Sequence, residues 1–278
     1  MTHLSSGLVA EPGNTPSSNA RERLMNLIGE PFLFSHWKRV VFIHFETDAK
    51  ILQKDVPFEL DLRKGKAYVS LVAFLLEKMR PRVGGKISEW LMKPVATHEL
   101  LNVRTYVRHA GEPGIFFLAE YLPNEISLRL GPVLYGLPYR RGKLKYEHEF
   151  EDGSIAGTVS SDRGVLSYHS TESKPSAFLP ALRDTRDEFL LERYTAFTHR
   201  DGVNRWFRVW HPPWSCVPVQ LEITDTSLLA ETGEWFQHAL CVGSHYSHGF
   251  ENIWMSRPRK SAAAKSCSIA EQIRYSEM

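Results

Sequence analysis

The chain has 278 residues, 42% hydrophobic and 24% charged, and its 34 Lys and Arg against 32 Asp and Glu leave a net charge of +2. That size admits one large domain or two small ones with a full core, and that balance excludes the dense positive field that nucleic-acid binding needs. No apolar run approaches the roughly 18 residues of a membrane span. Three scattered cysteines, Cys216, Cys241 and Cys267, have neither disulfide-framework nor zinc-site spacing, which points to a reducing cytoplasm.

The first twenty residues are rich in Ser, Pro, Gly and Asn and hold no apolar core of signal-peptide length, so 1–20 is expected to be a disordered tail. Residues 258–278 are expected to be a flexible basic tail, leaving 21–257 as the folded domain. A short helix is predicted near Ala20 to Ile28. In "WKRVVFIHFE", Val41, Ile43 and Phe45 alternate with Val40, Phe42 and His44, so both faces are apolar and the strand is central. Asp48 is the N-cap of a short helix that stops at Pro57. "FELDLRKGKAYVSLVAFLLEKMR" predicts a hairpin turning at Lys64-Gly65 and a long apolar strand to about Leu76.

Further strands are predicted in "ELLNVRTYVRH", "GIFFLAEYL", "KLKYEHEF", "SIAGTVSS", "GVLSYHS", "YTAFTH", "RWFRVWH" and "VPVQLEIT". Helices are predicted after Asn124, in "RDTRDEFLLERY", and from Asp225 to Gly233. Turn signals recur about every 8 to 12 residues, as in antiparallel meanders, and no internal repeat supports a propeller or solenoid. The fold class is β-rich α+β: a single large antiparallel β-barrel-like domain with an internal cavity and a few peripheral helices.

Along "NVRTYV", Asn102, Arg104 and Tyr106 share one face and Val103, Thr105 and Val107 the other. An inward Arg104 offers a planar cation to a carboxylate, whereas an ion pair with Glu99 or Glu120 is the structural alternative. Glu192, Arg193 and Tyr194 stand at a helix-to-strand junction that presents them to a site, unless they belong to a solvated helix face with Glu188. Trp210, His211 and Trp214 either rim a pocket or pack a core. His245 and His248 lie three apart, but without a third ligand no metal is expected. Gly-rich phosphate loops, G-x-S-x-G and H-E-x-x-H are missing from the sequence.

Read as a strand, "GKLKYEHEF" sets Lys143 and Lys145 on one face with Glu147 and Glu149. A nucleophilic lysine must be neutral at working pH, and glutamates at the next same-face positions favour the charged form, so neither lysine is expected to form a Schiff base.

"HF" at 44 and 45, "ELLNVRTYV", "PGIFFLAEY", "YGLPY", "FLLERY", "HPPW" and "SHYSHG" stand in an order that resembles the YqjF-like (DUF2071) family of uncharacterised proteins, over roughly residues 35–250. That family is similar in fold to acetoacetate decarboxylase, whose β-barrel encloses a cone-shaped cavity and whose reactive lysine lies in a Pro-Lys-Lys turn. Laid on "GLPYRR", that turn puts Tyr139 at the first lysine and Arg140 at the second, and neither forms an imine. The resemblance implies the cavity and withholds the decarboxylase chemistry.

Residues and resemblance together name Arg104, Tyr106 and Tyr139 as catalytic candidates. His44, Asn102, Phe116, Arg140, Arg193, Tyr194, His211, Trp214 and His245 are the ligand-binding candidates, with no metal and no cofactor. Three functions stay open: an enzyme on a small carbonyl or carboxylate compound, lyase-like or isomerase-like by resemblance; a non-catalytic binder of a small aromatic or quinone-like ligand; and a structural protein whose cavity is filled. The expected partner is a small molecule, not nucleic acid or membrane, with a homo-oligomer left open.

Overall fold

The computed structural model describes residues 15–172 and 177–261. Helix α1 (Pro16–Met25) begins at a capping box, in which the Thr15 hydroxyl accepts from the Ser18 amide and the Ser18 side chain reaches back to the Thr15 amide. The helix thus starts four residues before Ala20, inside the segment expected to be a tail. Ser17 is buried and donates to the His211 carbonyl at 2.8 Å.

Strand β1 (Leu33–Thr47) precedes helix α2 (Ala49–Gln53), where Asp48 accepts from the Lys50 and Ile51 amides as the expected N-cap. The two-residue β2 (Glu59–Leu60) leads through Lys64 and Gly65, both at positive φ, into β3 (Ala67–Pro81). Helix α3 (Gly85–Met92), strands β4 (His98–His109) and β5 (Glu112–Leu122) and helix α4 (Glu125–Tyr135) follow. Asn124 caps α4 by accepting from the Ser127 amide at 2.9 Å, and Gly136 ends it in the left-handed conformation that turns Leu137 inward.

The chain continues through β6 (Tyr139–Arg141), β7 (Lys143–Glu149), β8 (Ser154–Ser160), β9 (Val165–Glu172), β10 (Leu179–Pro180), helix α5 (Arg186–Leu191), β11 (Thr195–Arg200) and β12 (Val203–Trp210). Next come β13 (Ser215–Pro218), β14 (Gln220–Asp225), two 3-10 turns, β15 (Leu240–Met255) and β16 (Arg259–Lys260).

The main sheet runs β10-β13-β15-β1-β3-β4-β5-β11-β12-β16, with β2 beside β4 and β6 beside β5. Strand β12 also pairs with β15, Val209 opposite Met255 and Trp210 opposite Trp254, so the sheet curls back on itself into a barrel-like body. Strand β1 lies between β15 and β3, the central place its two apolar faces predict. Val41, Ile43 and Phe45 enter the principal core with Leu71, Val103 and Val107, while Val40 and Phe42 pack on the opposite side with Val72 and Phe74. The alternation in β4 sends Asn102 and Arg104 to that opposite side, the barrel interior.

Several local readings give way to tertiary pairing. A second sheet, β14-β9-β8-β7, covers the principal core with Ile155, Val159, Leu166 and Tyr168, beyond the single sheet system expected. "VPVQLEIT" divides at Pro218, which has no N–H to continue a ladder: β13 pairs with β15 and β14 with β9. Strand β2 pairs with β4, so the Lys64-Gly65 turn closes only a lone bridge between Arg63 and Lys66. The expected Asp225 to Gly233 helix is a 3-10 turn over Ser227–Thr232. Arg259 and Lys260 pair with Trp206 and Arg205, beyond the boundary expected at 257. The rest of both expected tails, and Cys267, lie outside the described residues. Among those described, no helix is long and apolar enough to cross a membrane.

Candidate functional site

Strands β4 and β5 pair Asn102 with Glu120 and Val103 with Ala119, and then Arg104 with Phe117, so Leu118 has no opposite number. This β-bulge breaks the two-residue period. Phe116 and Leu118 pack in the principal core, and so do Ala119 and Tyr121, whereas Ile115, Phe117 and Glu120 look into the barrel. The bulge therefore delivers Glu120 to the chamber that Asn102 and Arg104 face.

The chamber has a volume of about 100 Å³ between walls that include Trp37, Phe74, Leu100, Phe117 and Phe207. It is smaller than the roughly 300 Å³ at which drug-sized ligand pockets begin. A water takes about 10–15 Å³ on this measure, which leaves room for roughly eight non-hydrogen atoms.

Into this apolar space project a guanidinium, a carboxyl and a phenol. Asn102 Nδ2 donates to Glu120 Oε1 at 3.0 Å, while Glu120 Oε2 and Arg104 Nε are buried with no hydrogen-bond partner. Burial pushes the Glu120 carboxyl up to about 8, against the pull of the Asn102 bond. At neutral pH it is protonated, and since Oε1 accepts from Asn102 the proton resides on the free Oε2. Arg104 Nη2 reaches the Leu190 carbonyl at 3.5 Å, and the guanidinium also meets the Tyr106 hydroxyl and lies over the Phe42 ring. His98 and His211 also line the chamber, and burial lowers both to about 4, so they are neutral there.

Tyr139 comes from β6, which pairs it with Glu120. Its ring occupies a slot left by Gly131 of α4, where a Cβ would collide with the ring. Burial raises the phenol well above its ordinary value, so it remains a donor.

Of the sequence-predicted site residues, the chamber brings together Asn102, Arg104, Tyr139, Arg193, Tyr194 and His211. Two of these are committed elsewhere. Arg193 forms a buried ion pair with Asp61 at 2.7 Å, and Tyr194 donates to Glu192. Trp214 is not at the rim: it packs behind the wall on Phe42 and His211, and its amide donates to Glu192. Phe116 faces the principal core against Phe58 and Phe197, because the bulge lies one residue beyond its neighbour Phe117. Arg140 points to a separate open cleft, where it donates to the Glu231 carbonyl at 2.9 Å.

Tyr106, His44 and His245 lie behind the chamber wall in a chain of hydrogen bonds through Ser70. His245 and His248 diverge, His248 lying against the Phe178 ring at the surface while Glu251 binds Lys38. Among the described residues, no group of three His, Cys, Asp or Glu converges on a metal position. Glu120 and His98 line the chamber but were not candidate site residues; Glu120 entered the sequence reading only as an ion-pair partner for Arg104, and it bonds to Asn102 instead. Lys143 and Lys145 stand exposed on β7, Lys145 bonded to Glu147 at 2.8 Å, and that bond raises its pKa. None of the residues lining the chamber is a lysine.

Barrel-like architecture and chamber together define an acetoacetate decarboxylase-like fold, and solved structures agree. The enduracididine biosynthesis enzyme MppR, complexed with pyruvate, superposes with a TM-score of 0.56 at 13% identity over 84% of this chain and 92% of its own. Acetoacetate decarboxylase from Legionella pneumophila gives 0.55 at 14% identity over 93% and 98%. YqjF of Bacillus subtilis, uncharacterized, is 28% identical over 190 residues, 68% of this chain and 76% of its own. The DUF2071 family model, of uncharacterized conserved proteins, matches residues 35–251, and the chain belongs to that family.

Proposed function

We propose that the chamber binds a small carboxylate that also carries a carbonyl group, and that acid catalysis there proceeds without an imine. Arg104 holds the carboxylate, since a guanidinium matches that anion's planar geometry. Neutral Glu120 donates its Oε2 proton to the carbonyl oxygen as negative charge develops on it, with Tyr139 as a second donor.

The observation that carries this reading is the pair of unpartnered buried atoms, Arg104 Nε and Glu120 Oε2, on residues that line one cavity. Such orphans are costly inside a protein, and a ligand with an anion and an oxygen acceptor satisfies both. The small volume favours compounds of pyruvate or acetoacetate size over an aromatic or quinone-like ligand. MppR's pyruvate complex supports the size class.

Calorimetric titration with pyruvate and acetoacetate tests it. Arg104→Ala is expected to lose at least tenfold in affinity, about the worth of one hydrogen bond to a charged group, with thermal stability retained. Equal affinity in the variant would remove the anchor role. Binding without turnover by the wild type would leave a sequestering protein, a reading favoured by the neutral state of Glu120, His98 and His211, which deprives the chamber of a strong base.

A further inference from the structure

Behind the chamber wall, five side chains are joined in one line. Asp187 Oδ2 lies 3.6 Å from His245 Nε2, His245 Nδ1 lies 3.2 Å from His44 Nε2, His44 Nδ1 lies 2.7 Å from Ser70 Oγ, and Ser70 Oγ lies 2.5 Å from Tyr106 Oη. Tyr106 Oη then donates to the Leu190 carbonyl at 2.9 Å, the same oxygen that Arg104 Nη2 approaches at 3.5 Å. Asp187 and Leu190 both belong to α5, so the line leaves that helix at one end and returns to it at the other. Asp187 is half-exposed, and every member from His245 inward is buried.

We propose that Asp187, His245, His44, Ser70 and Tyr106 form a reversible hydrogen-bond relay that positions Arg104 for its ligand. The inference rests on the carboxylate-binding reading of the chamber. Each inner link offers one proton, so the line has a direction. With one proton added to the histidine pair, His245 donates to both Asp187 and His44, His44 donates to Ser70, Ser70 to Tyr106 and Tyr106 to the Leu190 carbonyl. That carbonyl is then satisfied, and Arg104 is free to serve the chamber. Without the added proton every inner link reverses: Tyr106 donates to Ser70, Ser70 to His44 Nδ1, and His44 Nε2 to His245. The Leu190 carbonyl is left bare, and Arg104 becomes its nearest donor, drawn back from the ligand.

The groups facing the pair are Arg104 and Tyr106 from β4, Arg186 and Asp187 from α5, and Cys216 of β13 beside Asp187. Burial, His245 and Arg104 hold His44 well below the usual imidazole range. The ring nitrogen of the pair that faces the Asp187 carboxylate is His245 Nε2.

The test uses the full chain with nitrogen-15-labelled histidine, its ring resonances followed between about pH 5 and 8, and pyruvate affinity measured over the same range. The relay predicts that the two His44 ring nitrogens exchange donor and acceptor roles in one step. It also predicts that pyruvate affinity rises roughly tenfold as pH falls through that step, about the worth of one charge-assisted hydrogen bond. His245→Gln is expected to lose this step and keep only the loss of affinity near pH 8 that comes from Glu120. Asp187→Asn is expected to move the step to lower pH. A His44 ring whose roles never exchange overturns the relay, as does a pyruvate profile in His245→Gln that matches wild type. Failure of pyruvate to bind at any pH would overturn the carboxylate reading alone, and the ring resonances would still decide the relay.

Discussion

Glu120 shares its cavity with Arg104 but bonds to Asn102 rather than to a cation, and its folded carboxyl takes up a proton near 8 while the free side chain does so near 4.5. Between those values the folded chain holds the extra proton, so stability falls as pH rises through the window. On the order of 3 kcal/mol is lost by pH 7. Glu120→Gln, which keeps an acceptor for Asn102 and has no charge to bury, is expected to flatten that slope in urea melts between pH 5 and 8. A variant whose midpoint follows the wild-type pH dependence would place the titration elsewhere. Arg104 and Asn102 were legible from the period-two pattern of "NVRTYV", which the regular part of β4 obeys. Glu120 was not, because the extra residue Leu118 shifts the phase of β5, and a bulge depends on the pairing of two strands rather than on either one's residues.

Helix α4 and strand β6 meet through the Tyr139 ring and the missing side chain at Gly131. Gly131→Ala improves helix propensity and yet forces a methyl group into the ring. The expected net effect is a loss of about 1–3 kcal/mol, the usual cost of overpacking, read from denaturant midpoints. In a Tyr139→Ala background the same change should be neutral or stabilising, a coupling that a double-mutant cycle isolates. Additive effects of the two changes would show that the slot does not constrain the phenol. Element ends with their own chemistry were legible: Asp48 and Asn124 cap the helices that follow them by accepting from first-turn amides. Strand β15 was hidden because "GSHYSHGF" reads locally as a turn, and only its pairing with β1 holds the segment extended.

At the scale of the molecule, one sheet curls round the chamber while a smaller sheet covers its opposite face. Barrel-like class, central β1 and wet lysine face were legible from apolar alternation and charge. The division of "VPVQLEIT" between two sheets, and the meeting of residues from β1, β3, β4, α5 and β15 in the relay, were not, since both arise from contacts distant in sequence. The proposed reading fits a decarboxylase-like barrel with no lysine lining its chamber: Tyr139 and Arg104 both line it, and the proposal assigns the cationic role to Arg104. A crystal of the protein soaked in pyruvate and solved at high resolution tests this most directly. The account predicts unbroken ligand density inside the chamber, its carboxylate on Arg104, its carbonyl oxygen on Glu120 Oε2, and no covalent link to the protein. Density continuous with a lysine, or an empty chamber with pyruvate bound at the Arg140 cleft, would contradict it.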